Sequence, residues 1–289
     1  MSQPRTHTVA ANGFQFSVHE WGENLRGQQP TLVLVHATGF HGRCWDQVIA
    51  DVGERHIIAV DQRGHGGSSK DLFNNWSEFG EDLIALLRAM DLSGVEAVGH
   101  SMGGHASVAA AAVAPELFSK LLLIDPVILD PSFYDLWDEK VLEGEPMHPA
   151  ARRRSEFDSR EDMYERYRER LPFSLFTDAA MKDYCEHGLV EDGDGVKLAC
   201  PPAFEARIYD TASSNRAILE RAKEVQIPVT VARSMQLKKP EDIMDFRFSP
   251  TWPKLPEQFP RGRDVLLEHL THFMPMQDPE KVAQLIREL

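Results

Sequence analysis

The chain has 289 residues, 42% hydrophobic and 26% charged, which suits one globular domain carrying an insertion and excludes a disordered chain. Its 45 acidic and 31 basic residues give a net charge of −14, so nucleic acid is not an expected partner. No apolar run is long enough to span a bilayer, and no membrane association is expected.

Cys44, Cys185 and Cys200 are odd in number and widely spaced, which suits neither a disulfide framework nor a zinc site. Met1–Asn12 is polar and lacks the apolar stretch of a signal peptide, so the expected compartment is the reducing cytoplasm. In that compartment Asn75–Trp76–Ser77 is a chance match to a glycosylation acceptor.

In chain order, Phe14–Glu20 alternates apolar and polar residues as a half-exposed strand does. Thr31–Val35 and His56–Val60 are short β-branched runs that read as buried strands. Ser77–Met90 carries its apolar residues at helical spacing. Val95–Gly99 is a short strand, Met102–Ala114 a helix directly after it, and Lys120–Ile124 another strand. Strands alternating with helices predict a mostly parallel sheet covered on both faces, the α/β class. From Asp130 to Val225 the texture is helical, with all five tyrosines inside this window and a capped helix over Ser159–Leu171. The α/β pattern resumes at Ile227–Ala232, passes a segment with Pro240, Pro250, Pro253, Pro256 and Pro260, and ends on a strand at Asp264–Leu267 and a helix at Asp278–Leu289. The expected organisation is a core of residues 1–129 and 226–289 with a helical cap inserted at 130–225.

Gly99–His100–Ser101–Met102–Gly103–Gly104 joins a strand to a helix. This is the G-x-S-x-G elbow in its proper setting, a turn so sharp that small residues must flank the serine on both sides. The serine then sits at a helix N-terminus, where free N–H groups favour developing negative charge. An ordinary Gly-rich turn with a capping serine is the bland alternative.

Together with three further segments, this elbow resembles the α/β-hydrolase superfamily, in its capped, serine-nucleophile branch. Val33–Leu34–Val35–His36–Ala37–Thr38–Gly39 with Trp45 resembles the oxyanion strand and loop, with Ala37 where the family usually has glycine. Asp61–Gln62–Arg63–Gly64–His65–Gly66–Gly67–Ser68 resembles the D-x-R-G-x-G-x-S loop. Leu270–Thr271–His272–Phe273 followed by Asp278–Pro279–Glu280 resembles the loop that delivers the histidine. The resemblance implies Ser101 as nucleophile, His272 as general base, and the amides of Met102 and Thr38 as oxyanion donors. His269 is the close rival as base. For the acid, Asp125 directly follows the strand after the elbow helix. The usual place, beyond Ile227–Ala232, offers no carboxylate before Glu241, Asp242 and Asp245, and Asp242 is the alternative acid. Asp125–Pro126 also reads as a plain turn.

Of the twelve histidines, His36, His65 and His100 sit inside family loops and are expected to brace them, as are Asp61 and Arg63. His41 and His105 are expected in solvent or core, with a pocket wall as the alternative. Arg152–Arg153–Arg154 reads as a solvated surface, with recognition of a substrate carboxylate as the alternative. Phe133, Tyr134, Trp137, Phe157, Phe173 and Phe176 either line an apolar pocket or form a core of the cap. The leading function is a carboxylic-ester hydrolase for a small to medium apolar substrate, working through an acyl-enzyme with no metal and no cofactor. A C–C bond hydrolase for β-diketone-type substrates, a cofactor-free perhydrolase, and a non-catalytic binding protein on the same scaffold are the alternatives. The sequence is silent on oligomeric state.

Overall fold

The computed structural model describes residues 3–239, 242 and 245–289. Pro240 and Glu241 of the proline-rich segment lie outside the described residues. Five strands open the chain: β1 (Arg5–Ala11), β2 (Phe14–Trp21), β3 (Leu32–Val35), β4 (Ile57–Val60) and β5 (Val95–His100). They are followed by β6 (Phe118–Ile124), β7 (Glu156–Phe157), β8 (Leu189–Asp192), β9 (Gly195–Leu198), β10 (Val229–Arg233) and β11 (Gly262–Leu266). The main sheet has eight strands in the order β1-β2-β4-β3-β5-β6-β10-β11. It is parallel from β4 to β11, while β2 runs antiparallel to both β1 and β4.

Alternation along the central strands divides the core in two. Val33 and Val35 of β3 face one cluster, and Leu32 and Leu34 face the other. Helices α1 (Asp46–Val52), α2 (Ser77–Ala89) and α3 (Met102–Val113) cover the two faces together with two later helices. Between them lie α4 (Pro131–Tyr134), α5 (Arg160–Tyr167), α6 (Asp178–His187) and α7 (Pro202–Asp210). The chain then forms α8 (Ile218–Glu224), α9 (Met274–Gln277) and α10 (Pro279–Arg287). Helices α2, α3 and α8 bury the valine face, and α1 and α10 the leucine face.

The segment between β6 and β10 differs from the expected helical cap in two ways. It holds a second sheet, β7-β9-β8, built on a tight Asp192–Gly195 hairpin. Its last helix, α8, belongs to the core, because Ile218, Leu219 and Ala222 pack into the cluster around α3. The remainder gathers Phe157, Met163, Phe176, Met181 and Tyr184 into a cluster that rests on Phe40, Phe273 and Met276 of the core loops. Helix α5 starts as expected, with Ser159 accepting from the Asp162 amide at 3.0 Å, but stops at Tyr167, short of Pro172.

Strand β2 is buried on both faces rather than half exposed. Its polar residues take buried partners: Glu20 pairs with His56 at 2.9 Å, and the Ser17 amide donates to the Ser68 hydroxyl at 2.8 Å. Among the described residues, no helix is long and apolar enough to cross a membrane.

Candidate active site

Strand β5 ends at His100, and α3 begins at Met102, which leaves one residue for the turn. Ser101 takes φ 57° and ψ −116°, a region L-residues rarely adopt. The turn closes so tightly that a side chain on Gly99 would meet the Gly103 carbonyl at 2.4 Å, and one on Gly103 would meet the Val35 carbonyl at 2.2 Å. Glycine at both places is therefore a packing requirement of the elbow.

Three side chains converge here from β6, the elbow and the loop before α9. His272 Nε2 lies 3.1 Å from Ser101 Oγ, and His272 Nδ1 lies 3.3 Å from Asp125 Oδ2. All three residues are buried. His272 is held through its backbone: its carbonyl accepts from His100 Nε2 at 2.8 Å, and its amide donates to the Arg247 carbonyl at 3.3 Å. His269, the rival base, is exposed.

Asp125 has φ 41°, and its amide donates to the Ala232 carbonyl at 2.8 Å, which ties the carboxylate between β6 and β10. Its Oδ1 accepts from the Ser234 amide at 2.9 Å and the Ser249 hydroxyl at 2.6 Å, and its Oδ2 from the Ser234 hydroxyl. Burial alone would raise its pKa, but His272 and the two serines outweigh that and hold it below the ordinary carboxylate value. The alternative acids are engaged elsewhere. Asp242 caps its own turn by accepting from the Lys238 and Lys239 amides at 3.2 Å, and Asp245 binds Arg247 at 2.6 Å.

Sequence reading missed Ser234 and Ser249, since single serines in a loop carry no local pattern. Ser249→Ala should remove a buried hydrogen bond to a charged group and cost about 1.5–3 kcal/mol of stability. Denaturant unfolding of the variant beside the parent checks this; an unchanged midpoint would mean the hydroxyl does not support Asp125.

Met102 and Thr38 are both buried, and among the described residues neither amide has a hydrogen-bond acceptor. For buried N–H groups this is unusual, and it leaves two donors free, one on the residue after Ser101 and one on a residue that lines the same cavity as Ser101.

The loop histidines act as braces. His36 donates from Nδ1 to the Ala37 carbonyl at 2.7 Å and accepts at Nε2 from the Gln62 amide at 2.9 Å. His65 donates to the Arg63 carbonyl and accepts from the Gly39 amide, each at 3.0 Å. Asp61 accepts from the Gly42 and Gly67 amides at 2.7 and 2.9 Å, and Arg63 holds Asp82 through two bonds of 2.8 and 2.9 Å. His41 and His105 are core residues.

Burial pushes His36 and His105 down to a pKa of about 4, and His41 and His100 to about 3, from an ordinary 6.5. Between pH 6.5 and those values only the unfolded chain binds the protons, so stability should fall as pH falls through that window. Each imidazole contributes up to about 1.4 kcal/mol per pH unit. Urea midpoints at pH 7 and pH 5 should differ clearly; equal midpoints would contradict the buried neutral state.

A cavity of about 330 Å³ opens onto Ser101 and His272. Its walls are mainly apolar, including Phe40, Leu129, Phe133, Phe248 and Phe273. Of the six aromatic residues singled out in the sequence, Phe133 lines it. Tyr134 packs into the main core, and Phe157, Phe173 and Phe176 belong to the cluster between the inserted segment and the core loops, while Trp137 is half-buried and not part of the lining. The middle residue of the arginine run is not solvated, since Arg153 is bonded to Glu205 at 2.7 Å and to the Tyr184 hydroxyl at 3.0 Å.

A parallel sheet with a serine at such an elbow is the architecture of an α/β-hydrolase. The family description "alpha/beta hydrolase family" matches residues 32–285, and the chain belongs to that family. It is 38% identical over 99 residues to a putative esterase/lipase of Haemophilus influenzae, covering 33% of this chain and 34% of that protein. It is 35% identical over 124 residues to an esterase of Mycobacterium tuberculosis, covering 42% of this chain and 39% of that protein. The matches thus span between a third and two-fifths of those relatives. Among solved structures, E-2-(acetamidomethylene)succinate hydrolase superposes with a TM-score of 0.76 at 21% identity, covering 99% of this chain and 98% of the other. An M. tuberculosis esterase superposes with a TM-score of 0.71 at 22% identity, covering 100% and 92%. At these identities the superpositions speak for the fold.

Proposed function

We propose that this protein is a serine carboxylic-ester hydrolase acting on a small to medium apolar substrate. The observation that carries the reading is the continuous chain Ser101–His272–Asp125 at the mouth of an apolar cavity. The esterase names of the relatives support it.

In this reading Ser101 Oγ attacks the ester carbonyl as His272 Nε2 takes its proton. Asp125 accepts from Nδ1–H, which fixes the tautomer and stabilises the imidazolium. The Met102 and Thr38 amides donate to the oxyanion as it develops. His272 returns the proton to the departing alkoxide, which leaves as the alcohol. A water molecule, deprotonated by the same imidazole, then attacks the acyl-enzyme; Ser101 leaves with that proton, and the carboxylic acid is released.

The inserted segment from Asp130 up to α8 acts as the cap over this site, and the cytoplasm remains the proposed compartment. A fluorophosphonate should label the protein at one site, and neutral acyl esters should be turned over. A folded protein that does neither would overturn the reading and leave a binding role on the same scaffold.

A further inference from the structure

One wall of the cavity is polar in a way the proposed chemistry does not use. There His148, Tyr209 and Phe246 pack ring against ring at a tilt, with centroids 4.4 Å apart for His148 and Tyr209 and 5.3 Å for Tyr209 and Phe246. His148 Nδ1 accepts from the Ala150 amide at 3.2 Å, so the neutral ring carries its proton on Nε2. Among the described residues, neither that Nε2–H nor the Tyr209 hydroxyl has a hydrogen-bond partner. The two rings are fixed to one another through the backbone: Asp210, next to Tyr209, accepts from the Met147 and His148 amides at 2.7 and 3.3 Å. The wall is therefore preorganised, and it carries two hydrogen-bonding groups that no protein atom among the described residues engages, on a cavity whose lining is mainly apolar.

Charge narrows what those groups can recognise. Among the described residues, no Asp, Glu, Lys or Arg side chain lines the cavity. Three arginines of the surrounding segments are taken up: Arg153 by Glu205, Arg207 by the Val141 and Gly144 carbonyls, and Arg247 by Asp245. Burial lowers the pKa of His148, so the ring is neutral at neutral pH. A carboxylate brought here would lose its hydration and meet no cation in the cavity wall, whereas a ketone or ether oxygen would meet two donors at little desolvation cost.

We propose that His148 and Tyr209 form a specificity subsite for a neutral hydrogen-bond acceptor, so that the favoured substrates are uncharged esters bearing a ketone or ether oxygen within the chain that fills the cavity. This rests on the hydrolase reading for the reacting end only.

The test compares p-nitrophenyl esters of equal chain length: alkyl, keto with the ketone at successive positions, and carboxylate-terminated. One keto ester should exceed its alkyl partner by about tenfold in kcat/KM, the worth of about one net hydrogen bond, and the carboxylate ester should be the poorest. Tyr209→Phe removes only the hydroxyl. His148→Ser keeps an acceptor for the Ala150 amide, as a good helix-capping residue does, and removes the ring with its Nε2–H. Each variant should shrink the keto-to-alkyl ratio, and together they should bring it near one. A loss of packing alone would lower both rates and leave the ratio standing.

The same ester pairs are titrated calorimetrically into the Ser101→Ala protein, which reads the subsite without the chemistry. Preferential binding of the keto ester there, with no turnover by the parent, would keep the subsite and reject the hydrolase reading. Equal treatment of keto and alkyl esters in both assays, or a ratio unmoved in the two variants, would overturn the subsite.

Discussion

Replacing Ser101 by alanine should lower ester turnover by about 10⁴-fold or more and abolish labelling by a fluorophosphonate. The expectation follows from geometry. Ser101 Oγ is within hydrogen-bond reach of His272 Nε2, and the strained turn holds it at the cavity surface. The fold should survive, because alanine fits the same backbone space and the turn is dictated by Gly99 and Gly103. His272→Ala should produce a loss of similar size, since the two groups act as a unit. His269→Ala should leave most activity, its side chain being exposed and outside the Ser101 network. Rapid labelling of a folded Ser101→Ala protein would move the nucleophile elsewhere, and a larger loss in His269→Ala than in His272→Ala would move the base.

Asp125→Asn should cut turnover by about 10⁴-fold while the protein still folds. Asparagine tolerates the positive φ at this position, and its carbonyl can still accept from the Ser234 amide and the Ser249 hydroxyl. Its NH₂ would then face His272 Nδ1. Two donors cannot pair, so the imidazole must turn over to the tautomer that has no free Nε2 lone pair for the serine proton. Asp242→Asn and Asp245→Asn should stay within about tenfold of the parent, far from a triad-level loss. Both carboxylates serve their own loop, one on lysine amides and the other on Arg247. Near-normal turnover by a folded Asp125→Asn protein would remove Asp125 from the mechanism.

Where the structure departs from sequence expectations, the departures have physical causes. Strand β1 is largely exposed and polar, so it lacks the apolar run that marked the central strands. The three-stranded sheet in the inserted segment is made of strands of two to four residues, too short for periodicity to register. Helix α8 looks like the helices before it in composition, yet it packs in the core, because only the returning chain brings Ile218 and Ala222 against α3.

The sequence by itself determined the parallel α/β core, the elbow around Ser101 and the loop histidines. Each of these is a local requirement: buried strands need apolar runs, a one-residue turn needs flanking glycines, and a braced loop needs a short polar motif. The tertiary structure alone decided which carboxylate stands beside His272, which serines support it, and which rings form the cavity wall. Asp125 and Ser249 are 124 residues apart and meet only because β6 and β10 are neighbours in the sheet. Likewise His148 and Tyr209 come from separate segments and touch only once α7 has docked. Such pairs leave no periodicity and no motif along the chain, because what selects them is the space they share after folding.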